Sequence, residues 1–125
     1  MNFLKSLGFA LEGLREMIWG HKNFRLQIMI GLLTVAAGFV FQLNFSEWMA
    51  LILISGLVLV TEMANSTIEA MVDLITKERK EEAKKAKDIA AGMVLLASGL
   101  SIVIGIFIFG PHLMKLLTIQ PFQPF

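Results

Sequence analysis

Three carboxylates and an amide, Glu62, Asn65, Glu69 and Asp73, recur at steps of three and four residues along this chain. At 3.6 residues per turn, those steps put all four side chains on one face of a helix. Carboxylates suit hard divalent cations such as Mg2+, which keep one or two protein carboxylates and take their other ligands from water and phosphate. A second, shielded carboxylate can accept a proton from a hydroxyl, and lysines nearby balance phosphate charge. Together these are the parts required to move a phosphoryl group from a nucleotide onto an alcohol. Glu62 and Glu69 are the hardest to read as ornament, because a carboxylate at bilayer depth costs at least a few kcal/mol.

The elements that must position this face read as membrane-embedded. The chain has 125 residues, 56% of them hydrophobic, and a mean hydropathy of +0.72. That length accommodates one domain, and the composition lies far from that of a soluble globular protein. Cysteine is absent, which excludes disulfides, zinc-thiolate sites and thiol catalysis. Residues 26–46 form an uncharged first span, residues 48–74 a second that carries the polar face, and residues 89–114 a third. Trp48 with Phe39, Phe41 and Phe45 suits an interfacial belt. Gly92, Gly99, Gly105 and Gly110, with Ala97 and Ser98, would allow close helix approach in the third span.

Leu4, Leu7, Leu11, Leu14 and Ile18 form a stripe away from Lys5, Glu12, Arg15 and Glu16. Such a stripe predicts an amphipathic surface helix over 1–25, lying in the interface or packed on partner helices. Lys and Arg precede the first span and crowd the 76–88 loop, whereas 42–47 has neither. The positive-inside rule therefore places the N-terminus and that loop in the cytoplasm and the C-terminus outside. Glu62 then lies roughly 10 Å deeper than Glu69 at 1.5 Å per residue. The 76–88 loop reads as a solvated helical connection with pairs such as Glu81–Lys85, or as a polyanion clamp. Residues 120–125 read as a proline-broken, disordered tail outside a single domain over 1–119.

The common nucleotide signatures are missing: no G-x-x-x-x-G-K-[ST] loop, no G-x-G-x-x-G, no H-R-D or D-F-G. The run Glu62-Met-Ala-Asn65-Ser-Thr-Ile-Glu69-Ala-Met-Val-Asp73 nevertheless resembles the E-x-x-N-[ST]-x-[IL]-E-x-x-x-D signature of the prokaryotic diacylglycerol kinase family. Ala86-Lys87-Asp88 followed by small residues resembles its second block. Phe9-Ala-Leu-Glu-Gly13-Leu and Asn23-Phe-Arg25 resemble its N-terminal block. The likeness covers about 7–111. Glu47-Trp48 and the Gly105 to Pro111 ending look more like the undecaprenol kinase branch.

The resemblance implies an all-α membrane protein: a surface helix plus three transmembrane helices in a homotrimer, with active sites shared between subunits in the cell membrane. It implies a kinase using ATP and Mg2+ or another divalent cation on a membrane lipid alcohol, undecaprenol or diacylglycerol, with no nucleic-acid partner. Residue by residue, it makes Glu62 the base on the lipid hydroxyl and Glu69 the metal ligand. Asn65, Lys87 and Asp88 would contact nucleotide, as would Phe9, Glu78 and Lys80 with less weight. Arg15 would meet the lipid head group. His21 stands where the family usually has a carboxylate or amide that helps bind a second metal, and imidazole prefers softer ions than Mg2+. Asp73 reads as a helix-end or pairing residue, and Asp88 also as a cap for span three. The competing readings are a small ion- or proton-conducting assembly, disfavoured because the polar residues stop halfway along span two, and an inactive member of the family.

Overall fold

The computed structural model describes residues 2–118; the tail expected at 120–125 lies outside them. Four helices follow in order: α1 (Phe3–Gly20), α2 (Lys22–Val40), α3 (Phe45–Ile75) and α4 (Glu81–Thr118). No strand occurs among the described residues. Helices α2, α3 and α4 are each long and apolar enough to cross a bilayer. The longest interface is between α3 and α4, with α2 packed on α3 and α1 on α2.

A single residue, His21, separates α1 from α2 and caps both. Arg25 holds this corner by donating from Nη1 to the carbonyls of Ile18 (3.1 Å) and Trp19 (2.9 Å). Those carbonyls belong to the last turn of α1, where helical partners run out. Of α1's residues only Met17 is buried, and its leucine stripe stays exposed within the single chain.

The first span is shorter than its uncharged stretch implied. Helix α2 stops at Val40 because the chain turns there. Leu43 N–H reaches the Gly38 carbonyl (3.1 Å) and Gln42 N–H that of Phe39 (3.3 Å), with Gln42 left-handed at φ 53°. This pair of bonds is a Schellman ending. Helix α3 then starts in a capping box: Glu47 N–H donates to Asn44 Oδ1 (2.9 Å) and Asn44 N–H to Glu47 Oε2 (3.0 Å).

The apolar core sits beside this turn. Leu43, Leu51 and Ile108 are buried there, flanked by Phe41, Trp48, Ala50, Ile104 and Phe109. Trp48 is therefore a packing residue more than a belt residue. Its ring lies so close to Gly38 that a Cβ at that position would fall 2.7 Å from it. Phe39 and Phe45, by contrast, remain exposed as a belt requires. The glycines of α4 meet no neighbour within the chain.

Helix takes up 81–88 of the expected helical connection over 76–88. Only 76–80 lies outside, and α4 begins at Glu81, where two acidic residues favour the positive end of the helix dipole and Ala, Lys and Glu favour helix intrinsically. Asp88 is thus inside α4 and caps nothing. It accepts from Lys84 Nζ at 2.6 Å, and Glu81–Lys85 is not among the ion pairs. Helix α4 also runs through Pro111 to Thr118, giving up one backbone bond at the proline.

Candidate functional site

Along α3 the polar face is continuous but its environment changes step by step. Glu62 and Asn65 are buried, with 6% and 8% of their surface exposed. Glu69 and Asp73 are exposed. A buried carboxylate needs a partner, because desolvation penalises its charged form. Helix α2 supplies one: Gln27 Nε2 stands 3.5 Å from Glu62 Oε2. Below it, Asn65 Nδ2 donates to Glu69 Oε1 at 3.4 Å, which leaves Asn65 Oδ1 buried without a partner. Gln27 Oε1 is in the same condition. Unpaired buried acceptors are rare in folded proteins, and here both lie beside Glu62, one across the helix interface and one a turn along α3.

The α1–α2 corner reaches the same stretch. His21 Nδ1 and Ser66 Oγ are 3.4 Å apart, and Ser66 precedes Glu69 by three residues on one helix face. At the end of the ladder, Lys87 Nζ of α4 donates to Asp73 Oδ1 at 2.7 Å. Asp73 is thus the pairing residue that its place near the helix end suggested. Asp88 pulls up the pKa of Lys84 by hydrogen bond and charge.

These contacts form four separate pairs along α3, Gln27 with Glu62, Asn65 with Glu69, His21 with Ser66 and Lys87 with Asp73. Five candidates stand apart, Asp88 among them through its pairing with Lys84 on α4. Phe9 and Arg15 are exposed on α1 without a hydrogen bond to the ladder, and Glu78 and Lys80 pair loosely with each other at 3.8 Å in the linker. No three His, Asp or Glu side chains among the described residues form a metal-holding group. Gln27 was passed over in the sequence because span one was read for charge, and an amide carries none. Its signal was a polar side chain just inside that span.

Two further features belong to the opposite end of the bundle. His112 Nε2 contacts Glu47 Oε1 and Oε2 at 3.2 and 3.1 Å, tying α4 to the start of α3. A cavity of about 510 Å³ lies there among Phe41, His112, Lys115, Leu116 and Thr118. Volume and chemistry therefore part company, and the paired carboxylates with unpaired amides are the better marker of a site.

Three membrane-length helices with a buried glutamate, flanking amides and a lysine-bridged aspartate define a small helical membrane protein with a polar site at one end. A model of the prokaryotic diacylglycerol kinase family matches residues 8–109, and the chain belongs to that family. It is 37% identical over 111 residues to the undecaprenol kinase of Bacillus subtilis (strain 168), covering 89% of this chain and 90% of that one. It is 33% identical over 118 residues to a diacylglycerol kinase of Synechocystis, covering 94% and 67%. To the diacylglycerol kinase of Escherichia coli (strain K12) it is 33% identical over 94 residues, covering 75% and 77%. The resemblance read from the Glu62–Asp73 and Ala86–Asp88 blocks is thereby established, and the protein is a membrane kinase.

Proposed function

We propose that this kinase moves the γ-phosphoryl group of ATP onto the hydroxyl of a membrane lipid alcohol, undecaprenol or diacylglycerol, at the Glu62–Asn65–Glu69 face. The observation that carries the reading is the burial of Glu62 with no cation against it, since its one side-chain partner among the described residues is an amide. A carboxylate so placed is matched to taking a proton.

Glu62 accepts the hydroxyl proton. The lipid oxygen forms a bond to the γ-phosphorus, the bond from that phosphorus to the β–γ bridging oxygen breaks, and ADP leaves with the electron pair. Asn65 orients phosphate or substrate. Lys87 and Asp88 meet the nucleotide, as do Phe9, Glu78 and Lys80 where the chain's neighbours complete the site. Arg15 meets the lipid head group.

A divalent cation, held by Glu69 when bound, would supply charge neutralisation for the transferring phosphate. The donors present fit Mg2+ of the kind that relies on phosphate and water, because the exposed Glu69 offers one carboxylate and the described residues form no closed cage. His21 beside Ser66 is the candidate for a second contact, to a metal when neutral or to phosphate when protonated.

A homotrimer with shared sites accounts for Phe9, Arg15 and the open glycines of α4 standing apart from the ladder in one chain. The Lys and Arg distribution supports a cytoplasmic N-terminus and 76–80 linker and an external C-terminus. Single cysteines replacing Asn44 and Lys84 should then label from opposite sides of intact cells, the former from outside.

The decisive assay is phosphorylation of both lipids, side by side, with labelled ATP. Glu62→Gln should abolish turnover while sparing ATP binding, and Glu69→Gln should weaken metal–nucleotide binding as well. Normal turnover in the double variant would overturn the assignment of the site.

A further inference from the structure

Resting on the reading of Glu62 as base, we infer that Gln27 is the residue that positions it, an amide on α2 holding the catalytic carboxylate on α3. Four observations converge on it. Gln27 is the one side chain among the described residues that hydrogen-bonds Glu62. It comes from a different helix, so it fixes the carboxylate relative to the bundle and not merely to its own backbone. Its Oε1 is buried and unpaired, and so is Asn65 Oδ1 a turn away.

The amide's orientation follows from its chemistry. With Glu62 ionised, the reverse placement would set Oε1, an acceptor, against an oxygen that only accepts. Nε2 must therefore face the carboxylate, and the planar amide then fixes where Oε1 lies. The 3.5 Å separation is long for such a bond. Hydrogen bonds in unliganded sites are commonly long and tighten when substrate arrives.

Other titratable groups approach from every neighbouring element. His21 comes from the α1–α2 corner to Ser66, Glu69 lies below on α3 through Asn65, and Asp73 faces Lys87 of α4. None of these hydrogen-bonds or ion-pairs with Glu62, so a change at Gln27 reports on Glu62 directly.

The test uses the purified full-length chain in mixed micelles, with ATP and whichever lipid alcohol supports turnover. Gln27→Leu removes the donor at similar volume; kcat should fall on the order of 10²-fold, the cost of a misplaced catalytic group, with KM for ATP unchanged. Gln27→Glu keeps the shape but sets a second carboxylate on the first. Two such groups cannot both ionise cheaply, so the acidic limb of the pH–rate profile should move upward by about one unit or more. A position 27 side chain that stayed out of reach of Glu62 would leave that limb in place. Parent-like kcat in Gln27→Leu, or an unmoved limb in Gln27→Glu, overturns the inference. Where the leucine variant fails to fold, the glutamate variant decides. Glu62→Gln is measured alongside. If it retains turnover, the base reading itself is wrong. If it is inactive while both Gln27 variants match the parent, only the role of Gln27 falls.

Discussion

The two ends of the α3–α4 pair are built on opposite plans. At the end beside the α2–α3 turn Glu47 is fully engaged, accepting from the Asn44 backbone and contacting His112, next to an apolar core where Trp48 seats against Gly38. At the end beside the α1–α2 corner Glu62 has one long hydrogen bond, and two amide oxygens near it have none among the described residues. Both ends hold a glutamate, yet one is tied into the fold and the other is kept available. The difference teaches that burial of a carboxylate marks function only when its neighbours leave it unfinished.

Exchanging one glutamate at a time tests this contrast most severely. Glu62→Gln should lower kcat by roughly 10²–10⁴-fold, the usual reach of a general base, with little change in thermal midpoint. Glu47→Gln should leave kcat near that of the parent and lower the midpoint instead. The reverse pattern in the two variants would show that the Glu47 end is the working one.

Packing provides the next effect. Gly38→Ala sets a Cβ against the Trp48 ring and the Leu43 methyl, so it should destabilise by about 1–3 kcal/mol, the range for overfilling a packed site. Equilibrium unfolding in detergent would measure it. A neutral result would mean that the Trp48 contact yields without cost.

The pairing at Glu47 also has a pH signature. The Asn44 backbone N–H first, and His112 second, hold the Glu47 carboxyl below its ordinary value of 4.5. A carboxyl lowered by folding stabilises the folded state above the unfolded value and loses that contribution as pH falls through the folded one. The thermal midpoint should therefore decline below pH 4.5, and Glu47→Gln should flatten that part of the decline. An identical slope in the variant would mean that other groups carry it.

The smallest effect belongs to the turn. Gln42 occupies the left-handed region at φ 53°, where an L side chain is disfavoured and glycine is not. Gln42→Gly should stabilise by about 0.5–1 kcal/mol and leave turnover unchanged. Loss of stability would show that the Gln42 side chain contributes more than its backbone costs.

The periodicity of polar and apolar residues determined most of the architecture by itself. Leucine spacing in 3–20, uncharged runs of membrane length and the Glu62–Asp73 steps each depend only on positions along one helix, and each reappears in the fold. Local chemistry also foretold the pairing role of Asp73. Boundaries were less legible. The uncharged run from 26 to 46 conceals a turn made by backbone bonds, and the charged helical connection over 76–88 does not show that its last eight residues continue into the third span as one helix. What only the tertiary structure decided are the contacts between helices. Gln27 and Glu62 lie 35 residues apart, and Glu47 and His112 lie 65 apart. Gly38 is one small residue among many until Trp48 is laid on it. No periodicity along one helix specifies which face of another will meet it, because that choice rests on shape and on partners far away in the chain.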